Sequence, residues 1–334
     1  MKILIFTVLI NSLLYVAKAQ WTGNINRNSE GFQWNKYHHQ EELIEILATL
    51  HKRYPRMTTL YTIGKSVRGR LLPVIAISAF NADKHVLGRP EVKYVGNMHG
   101  DEPVGRELIL RFADYLLSNY AFDREVQELL NTTRVHLMPT MNPDGFENSI
   151  EGSCQTPSNR SPMRQNARGV DLNRNFPDVW QRQRQRPEIE TEAVMNWLNR
   201  FPFVLSANFH SGALVANYAY DNNIAGENKN SPTDDDDVFR HISLTYARNH
   251  PSMARGCPGS GIDVARKHFK DGITNGAAWY HVKGGMQDYN YGYHGVMEVT
   301  LETSCCKYPR GRDLPRLWDE NRLSLLRYLL EVNK

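Results

Sequence analysis

The sequence predicts an α/β fold: a central mixed β-sheet flanked by helices, in a single domain. Three observations carry that prediction. Short apolar or alternating runs follow one another with helical-period runs between them. The 334 residues are 41% hydrophobic, enough for one sizeable core. No internal repeat and no composition shift divides the chain. In order, the first residues read as an export leader: Lys2, the apolar run Ile3 to Val16, then Ala17-Lys18-Ala19, so that 1–19 is a signal peptide cleaved after Ala19. Residues 20–34 read as a loose polar tail. A helix is expected near 39–52, where Leu43, Ile46, Leu47 and Leu50 recur at helical spacing, then strands near 58–64, 70–78 and 91–97. A helix near 103–119 and a strand in "RVHLMPTMNPDG" follow, then a long Gly/Ser/Pro/Asn-rich loop over about 149–170. Beyond it come a helix from Pro187, the strand "PFVLSANFHSG", a strand within "HGVMEVTLETSCCKYP" and a terminal helix in "RLSLLRYLLEVNK". In "SPTDDDDVFRHISLTYARNH", Thr233 reads as a helix N-cap with acids in the first turn, since the spacing and glycine of a calcium loop are missing.

Charge and cysteine usage narrow the class. A formal charge of +4, interspersed along the chain, gives no reason to expect nucleic acid as a partner. The local run "RQRQR", Arg182 to Arg186, reads as a solvated loop. No stretch after the leader reaches spanning length, so the expectation is a soluble protein, secreted or in the lumen of the secretory pathway. There Cys154, Cys257, Cys305 and Cys306 suggest two disulfides. Bonding between adjacent cysteines is strained, so Cys257 is expected to reach one of Cys305 and Cys306. The sequons at Asn131 and Asn159 are glycan acceptors in that compartment.

"GNMHGDEPVGRE" places His99 and Glu102 after a strand and before a helix, where α/β sheets gather their sites. The same His-x-x-Glu spacing at His38/Glu41 and His39/Glu42 falls in a helix start and reads as a polar first turn. Hydrolytic zinc keeps three protein ligands and an open position, and His210, ending an apolar run, is the strongest candidate for the third. The base that such chemistry needs is Glu298 or Glu302, which share one face of a strand; spacing does not say which.

"HGDEPVGRE", "NPDGFE", "GVDLNRNFPD", "NFHSGALVANYAYD", "GGMQDYNY" and "EVTLETSCCKYP", in this order, resemble zinc metallocarboxypeptidases of the regulatory carboxypeptidase N, E, M and D branch. The likeness runs from about residue 35 to the end and is closest to a catalytic domain of the carboxypeptidase D type. It implies one Zn2+ held by His99, Glu102 and His210, with Glu302 as general base and later acid. Arg164 would polarise the scissile carbonyl and hold the oxyanion. Asn173 and Arg174 would grip the substrate's terminal carboxylate, and Tyr280 would close over it. Asp221 and Gln287 match the pocket that takes a basic side chain. The branch usually adds a transthyretin-like β-sandwich, whereas residues 35–334 read as the catalytic domain without it. Met163 precedes Arg164 where Gly is usual, and Thr303 stands where an apolar residue is usual; neither removes a reacting group. The implied function is a secreted zinc exopeptidase that removes C-terminal Arg or Lys by Glu-assisted attack of water. Its partners would be peptides or proteins with basic C-termini. The alternative is a catalytically silent peptide-binding module of the same fold. A terminal-carboxylate clamp argues against an endopeptidase or amidase.

Overall fold

A sheet whose middle strands are parallel must be covered on both faces, because the crossovers that join such strands lie across them. The computed structural model, which describes residues 31–155, 161–181, 185–257 and 269–334, has this form. The leader, residues 20–30, the sequon at Asn159 and Arg182 to Arg184 lie outside the described residues. Along the chain the elements are α1 (Gln40–Arg53), β1 (Thr58–Lys65), β2 (Leu71–Ile77), β3 (Glu91–Gly96), α2 (Val104–Asn119), α3 (Arg124–Thr132), β4 (Arg134–Met138), α4 (Pro143–Glu147), α5 (Ile189–Arg200), β5 (Phe203–His210), β6 (Ala213–Tyr218), α6 (Asp236–Asn249), β7 (Ile273–Asn275), α7 (Gly276–Trp279), α8 (Met286–His294), β8 (Met297–Ser304) and α9 (Leu314–Leu330).

The strands pair in the order β1-β2-β4-β3-β5-β8-β6-β7. β4, β3, β5 and β8 are parallel, while β2 joins β4 and β6 joins β8 in antiparallel fashion. Every residue of β3 and β4 is buried, as strands covered on both sides require. One face packs against α1, α2, α3, α6 and α9, through residues such as Leu47, Phe112, Leu129, Phe239 and Leu325. The other packs against α5 and α8, through Trp197, Val194 and Met286. α2 lies close on β5 because Gly105 has no side chain: a Cβ there would stand 2.2 Å from the Cβ of Phe209.

Between β3, β5 and β8 the α5 face carries a buried polar cluster that decides the question left open for Glu298. Lys93 Nζ donates to Glu298 Oε2 at 2.8 Å and to Ser206 Oγ at 2.7 Å, while Asn208 Nδ2 donates to Glu298 Oε1 at 3.0 Å. Glu298 is thus the partner of a buried cation, and burial lowers the Lys93 pKa against the pull of that carboxylate. The decoy histidines are also structural. His38 Nδ1 lies 2.7 Å from Glu107 Oε2, and Glu42 reaches back to the His39 N–H at 3.1 Å, as at a helix start.

Several expectations change. The end of the tail is not loose, since Phe32 and Trp34 pack against the core with their ring centroids 5.4 Å apart. Thr233 is not an N-cap: α6 begins at Asp236 with Asp235 before it, and Asp235 Oδ2 accepts from Tyr291 OH at 2.7 Å. α3 and α8, at nine residues each, were too short to stand out by period, although Asp123 caps α3 by accepting from Glu125 N and Val126 N. The disulfides are Cys257–Cys305 and Cys154–Cys306, so the adjacent pair ties β8 to two separate loops. Asn131 is exposed on the last turn of α3, and no helix among the described residues is long and apolar enough to cross a membrane.

Replacing Glu298 by Ala leaves the Lys93 ammonium buried and unpaired, and should cost about 3–5 kcal/mol of stability. Urea unfolding of both proteins measures this, and a loss below about 1 kcal/mol would contradict the assignment.

Candidate metal centre and active site

Strand register brings the site together. His210 ends β5 opposite Glu302 on β8, and on the other side of β5 Gly96 ends β3 opposite Phe209. The turn after β3 then carries His99 and Glu102 across the same end of the sheet. Asn97 holds this turn at a positive φ of 55°, its Nδ2 donating to the carbonyls of His99 at 2.9 Å and Gly100 at 3.2 Å. Asn tolerates that conformation better than most residues.

The outcome is a tight triangle of donor atoms. His99 Nδ1 and His210 Nδ1 stand 3.0 Å apart, and Glu102 Oε2 lies 3.0 Å from the first and 2.8 Å from the second. All three residues are buried, and no other such group of His, Cys, Asp and Glu occurs among the described residues. Lone pairs of two imidazoles and a carboxylate aimed at one point repel unless a cation lies between them. His210 Nε2 has no protein partner, so the ring is not held by a hydrogen bond on its far side. Two nitrogens and one oxygen with a free fourth position suit a hydrolytic zinc ion.

Outside the triangle, a chain of charges holds the ligands in place. Asp171 Oδ1 lies 3.0 Å from His99 Nε2, and Asp171 Oδ2 accepts from Arg164 Nε at 3.0 Å. Arg164 NH1 donates in turn to Glu102 Oε1 at 3.0 Å, and Lys307 Nζ donates to the same oxygen. Burial opposes the Arg164 charge, but Asp171 and Glu102 outweigh it and raise its pKa. The outer oxygen of Glu102 is thereby occupied, leaving Oε2 for a metal.

His99, Glu102, His210, Arg164 and Lys307 line one cavity of about 740 Å³. Glu302 faces it with Oε2 unpartnered, and burial, reinforced by the Glu102 charge, pushes its pKa up to about 7. Asn173, Arg174, Tyr280 and Asp221 also line it, and a Cβ on Gly285 would meet both Asp221 Oδ2, at 3.5 Å, and Asn173 Oδ1, at 3.6 Å. Asn173 Oδ1 accepts from Met286 N at 2.9 Å, which turns the amide so that its nitrogen remains for a ligand. Asp221 is buried, receives one side-chain hydrogen bond, from Asn217 Nδ2 at 2.9 Å, and has its pKa pushed up to about 6 by that burial. Gly276 makes room for its carboxylate, since a Cβ there would fall 1.8 Å from Asp221 Oδ1.

With this geometry in view, comparison with known proteins is decisive. The family model described as zinc carboxypeptidase, peptidase M14, matches residues 43–324. The chain belongs to this family. It is 46% identical to mouse carboxypeptidase M over 303 residues, 89% of this chain and 66% of that protein. It is 42% identical to Drosophila melanogaster carboxypeptidase D over 339 residues, 99% of this chain and 24% of that one. The chain thus spans about two thirds of the former relative and a quarter of the latter. In fold it is similar to carboxypeptidase A of Helicoverpa armigera, with a TM-score of 0.68 at 19% identity, covering 98% of this chain and 81% of that one.

His99, Glu102 and His210 are the zinc-site motif of a metallocarboxypeptidase. Arg164, Asn173, Arg174, Tyr280 and Asp221 share its cavity with Glu302. Gln287 is not among the residues that line it: its Oε1 accepts from Thr300 N at 2.7 Å, and Thr300 does line the cavity. Two further residues of the site, Asp171 and Lys307, carry no role in the sequence motifs. The link between Lys307 and Glu102 spans 205 residues and has no local signal.

Asp171→Asn removes the anion that orients His99, so zinc affinity should fall about 10- to 100-fold while the fold survives. Competition with a chromophoric chelator on metal-depleted protein measures it; unchanged affinity would show that Asp171 does not support the ligand.

Proposed function

We propose that this family member removes Arg or Lys from the C-termini of peptides and proteins, outside the cell or in the secretory pathway. One observation carries the reading: a buried carboxylate, Asp221, lines the cavity together with Asn173 and Arg174, and among the described residues only Asn217 donates a hydrogen bond to its side chain. Leaving such a group unpaired is costly, so a cationic side chain is favoured there over an apolar one. The two disulfides support an oxidising compartment, and exposed Asn131 is the proposed glycan acceptor.

Each residue's chemistry follows from its place. Arg174 binds the substrate's terminal carboxylate through its guanidinium, with the Asn173 amide beside it. The basic side chain of the last residue then pairs with Asp221, while Tyr280, exposed at the rim, closes over the bound residue. A zinc ion held by His99, Glu102 and His210 would lower the pKa of a water molecule and polarise the scissile carbonyl. Glu302 accepts the proton of the attacking water and passes it to the leaving amine. Arg164, fixed by Asp171 and Glu102, offers its remaining N–H groups to the oxygen that becomes negative. Gln287 supports the pocket through Thr300.

Glu302→Gln should lower kcat at least about 100-fold with zinc content unchanged, measured as release of free arginine beside metal analysis. Retained turnover would remove Glu302 from the chemistry. Arg174→Ala should raise KM strongly for peptides with a free C-terminus. If wild-type protein cut amidated peptides equally fast, the exopeptidase reading would fail.

A pH dependence follows from Asp221. Its pKa, lifted to about 6, means that the pocket gains a proton as the pH falls through that value and loses its charge. KM for Arg-ended peptides should therefore rise below about pH 6 and level off above it. Asp221→Asn should abolish that rise; a profile identical in mutant and wild type would assign the titration elsewhere.

A further inference from the structure

A second cavity, of about 550 Å³, lies at the same end of the sheet as the metal centre. Successive strand residues divide the two. Ala213 and Glu302 line the first cavity and Leu214 and Thr303 the second, as alternation along β6 and β8 dictates. The cavities thus open on opposite faces of the sheet, and they share one rim residue, Cys154, whose disulfide to Cys306 adjoins Lys307.

The second cavity is lined by Arg255, Arg310, Arg312 and Arg316. The acids that face them are Asp313, at the start of α9, and Glu320, which is paired with Arg316 at 2.6 Å. Glu151, close by, accepts from Gly311 N at 2.8 Å. Arg255, Arg310 and Arg312 are exposed and make no ion pair with the described residues. Arg310 and Arg312 also precede α9, where the helix dipole opposes positive charge. Among the described residues, three guanidinium groups thus line a concave wall without an ion pair, and Asp313 is the one lining acid there not paired with another arginine.

We infer that this groove is an extended subsite for acidic side chains of the substrate itself, upstream of the residue that is removed. The inference rests on the exopeptidase reading. With the C-terminus held by Asn173, Arg174 and Asp221, the rest of the peptide would pass Gln155, Lys307 and the Cys154–Cys306 disulfide, which line the same cavity. Of these, Cys154 also lines the arginine groove. An extended chain advances about 3.3 Å per residue and must cross the sheet end, roughly 10 Å, which takes about three residues, so the acids belong about four or more residues before the C-terminus. The preferred substrate is a dipolar one, with a basic end and an acidic body.

The test uses two peptides that end in Ala-Arg and differ only in a block of three Glu or three Gln, placed at successive upstream positions. At low salt the Glu peptide should show a KM about 3- to 10-fold lower at one or two block positions, with kcat unchanged. Binding of both peptides to Glu302→Gln protein, by fluorescence anisotropy, should show the same preference. The Glu-to-Gln ratio should approach one in Arg310→Glu/Arg312→Glu protein and, as a milder second variant, shrink in Arg255→Gln. It should also shrink at high salt. Equal KM and equal binding at every position in the wild type would overturn the subsite while leaving the exopeptidase reading intact. A Glu preference in binding without any release of arginine would uphold the subsite and overturn that reading. Binding of a sulfated polysaccharide to these arginines, with no preference between the peptides, would assign the groove to another anion and sink the proposal.

Discussion

Two imidazole nitrogens and a carboxylate oxygen stand within 3.0 Å of one another, buried, and the rest of the site is organised around that constraint. Such an arrangement is unfavourable for the bare side chains and favourable around a divalent cation. It persists because each ligand is tied into a rigid element: His210 to the end of β5, His99 to a turn held by Asn97, Glu102 to the start of α2. The parallel strands β3, β5 and β8 fix the heights of these elements relative to one another. Gly105 fixes how closely α2 approaches.

The electrostatics of the cavity extend the same logic outward. Arg164 and Lys307 occupy one oxygen of Glu102, and Asp171 ties Arg164 to His99, so the ligand set carries its own counter-charges. Acids with a functional part, Glu302 and Asp221, lack such cationic hydrogen-bond partners, and burial raises both pKa values. Glu298 shows the contrast. It sits four residues before Glu302 on the same strand, yet Lys93, Ser206 and Asn208 satisfy it, and it is structural. The chemistry of an acid here depends on whether the sheet supplies it with a partner.

Much of the architecture was legible because it was local. Leu43, Ile46, Leu47 and Leu50 define α1 by period, and the apolar runs of β3 and β5 mark buried strands. The short elements escaped, α3 and α8 because nine residues hold few repeats of a period, and β7 because three residues hold none. The acidic run after Thr233 points to a cap two residues early: the helix starts after Asp235, whose carboxylate accepts from the Tyr291 hydroxyl, a partner distant in sequence. The tail was judged by its polarity, which hid the packing of Phe32 and Trp34.

By itself, the sequence determined the kinds of chemistry present: a His-x-x-Glu turn between strand and helix, a strand-end histidine, a strand with two glutamates, and six ordered motifs of one family. Those are properties of short segments, where residue type and spacing suffice. Tertiary structure alone decided which glutamate faces the cavity, which cysteine of the adjacent pair reaches which loop, that Gln287 meets the cavity through Thr300, and that Lys307 meets Glu102. Each of these depends on strand register and sheet order, which bring together residues 13 to 205 positions apart with no periodicity to announce it.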